Sequence, residues 1–281
     1  MPGDAGGLKG TRAMNETMTG RVTSADGTSI AYDRSGVGPA LVLVHGAFTD
    51  KTHPTLYGVA AALAPWFTVF NYDRRGRGES GDTQPYAVER EIEDLSALIE
   101  AAGGSAMVFG GSSGAALALE ATARNSAISR LAVWEPPYHV DNSAPSLSYD
   151  FASRLEVLVE QGRRAEAAEL FMVEAAEVPV EMVAAMRAHS SWSGVEAIAH
   201  TLAYEAALMG PGNALPTELL TSITQPTLVL IGENSPAWMT NAGKAVAATV
   251  PRAVQRILED QTHNVAPQSL APELLEFFIA V

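Results

Sequence analysis

Residues 106–115 read AMVFGGSSGA, and this stretch decides the fold. Its first half is a continuous apolar run, which is typical of a strand buried on both faces, and an alanine-rich helical segment follows it directly. Gly110 and Gly114 flank Ser112 two residues away on either side, so strand and helix can pack closely at a tight turn that projects the serine hydroxyl. The stretch therefore predicts a nucleophilic serine. Ser113 is the rival nucleophile, although it lacks the flanking glycines, and a small-residue turn without chemistry is the other interpretation.

Strand and helix patterns alternate along most of the chain. Asp26-Gly27 is a strong hairpin signal between two short strands near the start. Alternation of this kind predicts a doubly wound, mostly parallel α/β sheet of eight strands with helices on both faces, six of the strands being of the buried type. The buried strands are predicted at 40–44, 67–72, 106–110, 129–134, 226–231 and 254–258, and helices at 86–102, 115–124, 238–250 and 272–279.

A helical segment interrupts this alternation after the sixth strand. No convincing strand pattern lies between Tyr138 and Pro216, and prolines border the segment at both ends. An insertion of this size is expected to sit over the strand ends as a lid. Its helical patterns cover 151–161, 164–176, 179–189 and 194–209. The predicted organisation is a mobile leader at 1–19, a sheet core at 20–137 and 217–281, and a helical lid at 138–216.

Two further motifs follow the third and fourth predicted strands. His45-Gly46 ends the third strand, and the sequence DRRGRGES occupies residues 73–80. Together with the serine turn, these motifs resemble the α/β-hydrolase superfamily in their order and separation. The resemblance implies the α/β-hydrolase fold and an oxyanion hole formed by the backbone amides of Ala47 and Ser113. It also implies that residues 73–80 form a structural turn, with a phosphate-binding role as the alternative.

The catalytic base and its acid are the remaining members of such a site. His263 lies in a loop between the last strand and the closing helix, where the family places its catalytic histidine. Most of the family places an aspartate after the seventh strand, at the position that Ser235 occupies here. Three alternatives follow: Glu135 at the end of the sixth strand, which resembles certain dehalogenases, Glu233 in a shifted loop, or no acid. Glu135 is favoured because neighbouring strand ends of a parallel sheet lie near one another and near the histidine loop.

Composition excludes several classes of protein. The 281 residues contain no cysteine, which excludes a disulfide framework, an iron–sulfur cluster and a thiol nucleophile. The formal charge of −14 argues against a large phosphate-contacting surface, so no nucleic-acid partner is expected. No apolar stretch approaches the ~20 residues of a membrane span, and residues 1–20 lack the apolar core of a signal peptide, so a cytoplasmic location is expected. Metal-binding spacings such as H-E-x-x-H do not occur, and neither metal nor cofactor is expected.

The predicted function is nucleophilic acyl transfer. We expect a cofactor-free serine hydrolase, a monomer or homodimer, that cleaves an ester-like bond of a medium-sized, largely apolar small molecule. A serine at position 112 excludes the dehalogenase and epoxide-hydrolase reactions, since the enzymes that this fold resembles use an aspartate for them. The alternatives are a carbon–carbon bond hydrolase, lyase or cyclase with the same site, and a non-enzymatic small-molecule binding module. The predicted substrate-binding residues are Phe48, Met182, Met186, Trp192 and Tyr204.

Overall fold

A computed structural model of the protein describes residues 17–280, in which eight strands form one sheet. The strands are β1 (Met18–Thr23), β2 (Ser29–Ser35), β3 (Ala40–Val44), β4 (Thr68–Tyr72), β5 (Ala106–Gly111), β6 (Ile128–Trp134), β7 (Thr227–Gly232) and β8 (Ala253–Leu258). Their order across the sheet is β1-β2-β4-β3-β5-β6-β7-β8. β2 pairs antiparallel with β1 and β4, and all other neighbours are parallel. The predicted mostly parallel, eight-stranded sheet is thus confirmed.

The first strand begins earlier in the chain than the sequence predicted. Of the predicted leader at 1–19, residues 1–16 lie outside the described residues, and Met18 already begins β1. The predicted hairpin joins β1 to β2. Gly27 has a φ of 87° in its turn, a conformation that glycine adopts without strain.

The central strands are buried and the last strand is not. Every residue of β4 and β7 is buried, whereas Val254 and Ile257 of β8 are 51% and 54% exposed. The prediction that residues 254–258 form a strand of the buried type is therefore wrong. β8 is the terminal strand of the sheet, so it has a neighbour on one side only and its side chains are covered incompletely.

Helices cover both faces of the sheet, as predicted. Leu98, Leu117 and Val246 belong to an apolar cluster on one face, and Val59 and Leu274 to a second cluster on the other. Within residues 17–280 the α-helices are α1 (Pro54–Leu63), α2 (Val88–Ala101), α3 (Ser113–Arg124), α4 (Phe151–Glu160), α5 (Arg164–Glu174), α6 (Val180–Arg187), α7 (Trp192–Ile198), α8 (Leu202–Met209), α9 (Thr217–Thr221), α10 (Ala237–Thr249) and α11 (Pro267–Ile279).

Several of these helices differ from the sequence patterns. The single helix predicted at 194–209 is divided into α7 and α8, and α9 was not predicted. Nothing in the patterns predicted α1, whose Gly58 lowers its helix propensity. A Cβ atom on Gly58 would lie 2.8 Å from Cγ of Pro267, so glycine at this position lets α1 and α11 pack closely. α11 begins at Pro267, before the predicted start at Pro272. The added turn buries Leu270 completely, which offsets the backbone hydrogen bond that Pro272 cannot donate.

The helical insertion (residues 138–216) follows β6 and carries α4 to α8. Its helices bury an apolar cluster of their own, which includes Leu155, Met172 and Leu202. Ala47 and Phe48, from the loop after β3, pack against that cluster. The insertion therefore covers the edge of the sheet at which the parallel strands end. A side chain placed at that edge lies between the core of the sheet and the apolar cluster of the insertion.

Candidate active site

Ser112 occupies the turn between β5 and α3. Its backbone angles are φ 57° and ψ −127°, a conformation that a residue with a side chain rarely adopts. A Cβ atom on Gly110 would lie 2.3 Å from the carbonyl oxygen of Gly114, and one on Gly114 would lie 2.4 Å from that of Val44. Because both positions lack a side chain, β5, α3 and β3 approach closely, and this packing holds Ser112 in its strained conformation.

Three side chains meet at the carboxyl edge of the sheet. Nε2 of His263 lies 3.2 Å from Oγ of Ser112, and Nδ1 lies 2.7 Å from Oε2 of Glu135. The indole N–H of Trp134 donates to the carbonyl oxygen of His263 at 3.1 Å, which fixes the loop between β8 and α11. The structure thus brings the predicted nucleophile, base and favoured acid into one hydrogen-bonded chain. The rival Ser113 lies outside this chain, since its buried hydroxyl has no hydrogen-bond partner among residues 17–280.

The neighbouring strand β7 forms hydrogen bonds with both the backbone and the side chain of Glu135. It is fully buried, and its φ of 44° turns the chain sharply at the end of β6. Its amide donates to the carbonyl oxygen of Leu230 at 3.1 Å, and its Oε1 accepts the amide of Gly232 at 2.7 Å. The second oxygen is then left to face His263. A buried carboxylate that accepts two hydrogen bonds is well placed to stabilise a protonated imidazole.

The other acid candidate does not reach the histidine. Glu233 is exposed, and its Oε2 accepts the amide of Asp260 at 3.1 Å. Ser235, at the position where most of the family has an aspartate, has a buried hydroxyl without a partner in the described part of the chain. Among the carboxylates weighed from the sequence, only Glu135 therefore contacts His263.

The turn at residues 45–48 and the start of α3 each bring one backbone amide to the serine. A Cβ atom on Gly46 would lie 3.0 Å from Cβ of Ser112, so the turn passes directly over the nucleophile. Within residues 17–280, neither the amide of Ala47 nor that of Ser113 donates a hydrogen bond, and both residues line the cavity above Ser112. Two free amides beside a nucleophile, one of them at a helix N-terminus, have the chemistry of an oxyanion hole.

A buried hydrogen bond of His45 holds the 45–48 turn in place. Its Nε2 lies 2.6 Å from Oδ1 of Asn71, whose side-chain amide donates to the carbonyl oxygen of Lys51 at 2.8 Å. Burial lowers the pKa of His45 to about 4, so its imidazole is neutral at neutral pH. A neutral ring with its proton on Nε2 donates to Asn71, and His45 therefore acts as a structural anchor of the turn.

The arginines of the 73–80 motif are structural. The guanidinium groups of Arg74, Arg75 and Arg77 are all buried and all paired with carboxylates. Arg74 and Arg77 also donate to the carbonyl oxygens of the 45–48 turn, and both donate to Oε1 of Glu205 in α8. These contacts match the structural turn and leave no guanidinium of the motif free for phosphate. They also link the turn to the helical insertion, a role that the sequence reasoning missed.

A cavity of about 380 Å³ opens above Ser112, between the sheet core and the helical insertion. Its walls are largely apolar, and Ser112, His263 and Ala47 lie on its floor. Of the predicted substrate-binding residues, Phe48 lines it. The sequence reasoning missed several wall residues, because a local pattern does not say which side chains face the cavity; these are Phe151, Phe171, Val178, Trp238 and Met239.

The four other predicted substrate-binding residues lie elsewhere, and this corrects the expectation for them. Met182 and Met186 face outward from α6 and are 55% and 38% exposed. Trp192 packs in the core of the insertion and donates its indole N–H to Glu196. Tyr204 is directed away from the cavity, since its hydroxyl donates to Asp82 and its ring stacks on Tyr86. Each is a large apolar side chain that packs or faces solvent instead of lining the pocket.

Two further hollows complete the surroundings of the site. A cavity of about 170 Å³ borders Ser112 and His263 on the side of His53 and Leu56. An open groove of about 700 Å³ runs along α4 to α6 and contains none of the candidate catalytic residues.

In residues 17–280, no group of three or more His, Asp or Glu side chains is placed to hold a metal ion. No helix in the same part of the chain has the length and apolar character to cross a membrane.

Comparison with known proteins identifies the family and the same fold. A sequence profile of the alpha/beta hydrolase family matches residues 41–275. The crystal structure of an alpha/beta hydrolase from Sphaerobacter thermophilus is 53% identical, covers 92% of this chain and all of that one, and superposes with a TM-score of 0.86. A thermophilic esterase from Thermogutta terrifontis is 25% identical over 92% of this chain and 95% of its own, with a TM-score of 0.63.

A curated relative matches a smaller part of the chain. The uncharacterized hydrolase YraK of Bacillus subtilis is 35% identical over 113 residues, which are 39% of this chain and 41% of that protein. The match thus spans less than half of the relative's length. With the profile covering most of the chain, and with the serine turn and the sheet order described above, the protein belongs to the α/β-hydrolase family and is an enzyme of the hydrolase type.

Proposed function

We propose that this hydrolase is a cofactor-free serine hydrolase that cleaves an ester-like bond of a small, largely apolar molecule through an acyl-enzyme. The observation that carries the proposal is the hydrogen-bonded chain from Ser112 through His263 to Glu135, at 3.2 and 2.7 Å. A strained serine beside a histidine, with that histidine oriented by a buried carboxylate, is the arrangement that activates a hydroxyl for attack on a carbonyl.

The first half of the reaction uses all five groups of the site. His263 takes the proton of Ser112 on Nε2 while Oγ attacks the carbonyl carbon. The amides of Ala47 and Ser113 bind the oxyanion, and Glu135 stabilises the imidazolium that forms. His263 then gives its proton to the leaving alcohol. In the second half, water loses a proton to the same nitrogen and attacks the acyl carbon. The bond from that carbon to Oγ then breaks, His263 returns the proton to Oγ of Ser112, and the acid product departs.

The cavity supports the substrate class. Its volume of about 380 Å³ lies in the ordinary range for small-molecule sites, and aromatic and aliphatic side chains form most of its walls. Burying an apolar substrate group there contributes roughly 25 cal/mol per Å² of surface removed from water. The named esterase among the similar structures supports an ester-type bond, although fold alone does not determine substrate.

A serine-directed fluorophosphonate probe tests the nucleophile. We expect the parent enzyme to be labelled, and Ser112→Ala to lose both labelling and hydrolysis of p-nitrophenyl hexanoate. Ser113→Ala is the matched control, since it removes a neighbouring hydroxyl and keeps the backbone amide. Undiminished hydrolysis by Ser112→Ala would refute the mechanism. Turnover of a β-diketone without turnover of any ester would assign the same site to carbon–carbon bond cleavage.

A further inference from the structure

Besides Asn264 and the hydroxyl of Ser113, two polar side chains that the proposed reaction does not use line the cavity above Ser112. They are Asn213, in the turn that directly follows α8, and Glu205, in α8 itself. Both are buried, at 7% and 1% exposure, in a cavity whose walls are otherwise largely apolar. Polar groups placed in an apolar cavity usually set the orientation and the specificity of the ligand.

The carboxamide of Asn213 has no hydrogen-bond partner among residues 17–280. Its backbone is held instead: the amide of His139 donates to its carbonyl oxygen at 2.8 Å, and its own amide donates to Gly210 at 3.2 Å. Asn213 has a φ of 52°, in the left-handed region that asparagine tolerates better than most residues. The backbone, and not the side chain's own contacts, therefore places this free donor and acceptor in the cavity wall.

The second side chain, Glu205, is held in the cavity wall by two arginines. Its Oε1 accepts hydrogen bonds from Arg74, at 3.0 Å, and from Arg77. Its Oε2 has almost no accessible surface and no partner within the described chain, so a group in the cavity does not reach it. Arg74 and Arg77 together balance Glu205 and the buried Glu91, which leaves the cluster without net charge.

We propose that the carboxamide of Asn213 forms a polar subsite that binds a neutral hydroxyl or primary amide group of the substrate. This deepens the proposed function and rests on it. A group of this kind donates to the carboxamide oxygen of Asn213 or accepts from its NH₂, and so gives this side chain a partner. A carboxylate on the substrate can only accept, and it would bring an unpaired negative charge into a largely apolar cavity of low dielectric constant.

The wild-type enzyme tests the subsite with matched esters. The first set is p-nitrophenyl hexanoate, p-nitrophenyl 6-hydroxyhexanoate and the mono-p-nitrophenyl ester of adipic acid. The second set, hexyl acetate and 6-hydroxyhexyl acetate, carries the hydroxyl on the alcohol side. Shorter and longer chains vary its distance from Ser112. In one of the two sets we expect the hydroxylated ester to exceed its deoxy partner in kcat/KM by about tenfold, as one or two hydrogen bonds require, and the adipate ester to be the poorest.

A glycine substitution then assigns the preference to Asn213. Glycine accepts a φ of 52° without strain, so Asn213→Gly removes the carboxamide and keeps the backbone. We expect the ratio of hydroxylated to deoxy kcat/KM to fall toward one. Asp260→Gly is the matched control, because Asp260 is exposed, has a φ of 56° and lies outside the cavity; its ratio should equal that of the parent.

Two results would overturn the subsite. One is equal kcat/KM for hydroxylated and deoxy esters at every chain length in both sets, and the other is a hydroxyl preference that persists in Asn213→Gly. Calorimetric binding of the same esters to Ser112→Ala measures the preference without turnover. An enzyme that hydrolyses no ester, yet binds the hydroxylated ester more tightly, would therefore refute the ester reaction and support the subsite.

Discussion

Replacing Glu135 by glutamine tests the role assigned to the acid. In the parent, Oε1 accepts the amide of Gly232 at 2.7 Å and Oε2 accepts the Nδ1 proton of His263 at 2.7 Å. A glutamine has only one acceptor oxygen for these two donors. If that oxygen stays on Gly232, the side-chain NH₂ faces Nδ1 and the imidazole proton moves to Nε2, where it blocks acceptance of the proton from Ser112. If the amide flips, its NH₂ opposes the amide of Gly232 inside the protein.

Either orientation removes the productive tautomer or leaves a buried donor unpaired. The equivalent change in a Ser-His-Asp triad lowers kcat by about 10⁴, which corresponds to roughly 5.5 kcal/mol of transition-state stabilisation. We therefore expect Glu135→Gln to lose about 10³- to 10⁴-fold in kcat on p-nitrophenyl hexanoate, with circular dichroism confirming the fold. Glu233→Gln is the matched control and should stay within about twofold of the parent, since an exposed carboxylate off the histidine contributes little. A loss below tenfold for Glu135→Gln, or a larger loss for Glu233→Gln, would refute the assignment.

Three further changes probe the surroundings of the site. Gly46→Ala should lower kcat about a hundredfold, because the added Cβ would lie 3.0 Å from Cβ of Ser112 and displace the neighbouring amide of Ala47. Gly194→Ala is the control, since it has open space around it, and should match the parent in the same assay. Glu205→Gln should lower the free energy of unfolding in urea by about 3 kcal/mol, since it leaves two buried arginines short of a counter-charge; an unchanged midpoint would contradict this. His45, whose pKa burial lowers to about 4, stays neutral in the folded chain while the unfolded chain takes up a proton below about pH 6.5. Its contribution to stability is therefore lost as the pH falls from about 6.5 to 4, and an NMR titration that shows a protonated His45 at pH 5.5 in the folded protein would contradict this.

The sequence predicted the sheet and the serine turn because their signals are local, whereas His263 and Ala47 were assigned by the resemblance to the α/β-hydrolase superfamily. Small residues at fixed positions around Ser112 are a steric requirement of the turn, so they are visible without tertiary structure. The resemblance to certain dehalogenases suggested Glu135, and the adjacency of strand ends in a parallel sheet permitted it. β8 was misjudged for the opposite reason, because Val254 and Ile257 are apolar and nothing in their local pattern marks the last strand of the sheet.

The cavity walls depend on information that a local pattern lacks. Trp192, Met182 and Tyr204 were plausible because large apolar side chains suit a pocket, but which face of an inserted helix meets the core is decided by its packing against other helices. Tyr204 shows this directly: its stacking on Tyr86, from the segment before α2, turns the ring away from Ser112. Asn213 was not predicted because its distinguishing feature is a positive φ, and a single asparagine in a loop does not indicate a positive φ.

In the proposed mechanism, an acid on β6 leaves the loop after β7 without a catalytic residue. Glu135 is oriented by the backbone of β7, through the amide of Gly232, so β7 contributes to the histidine's partner without supplying a carboxylate of its own. The loop after β7 then has no charge to hold against the imidazole, and Pro236 and Trp238 at the start of α10 line the substrate cavity instead. Trp238 donates its indole N–H to Glu177 of the helical insertion at 2.8 Å, which joins the sheet core to the insertion at the cavity wall. Moving the acid by one strand thus leaves the β7–α10 connection available for substrate recognition, so substitutions at Trp238 should change which esters are accepted while leaving the Ser-His-Glu geometry intact.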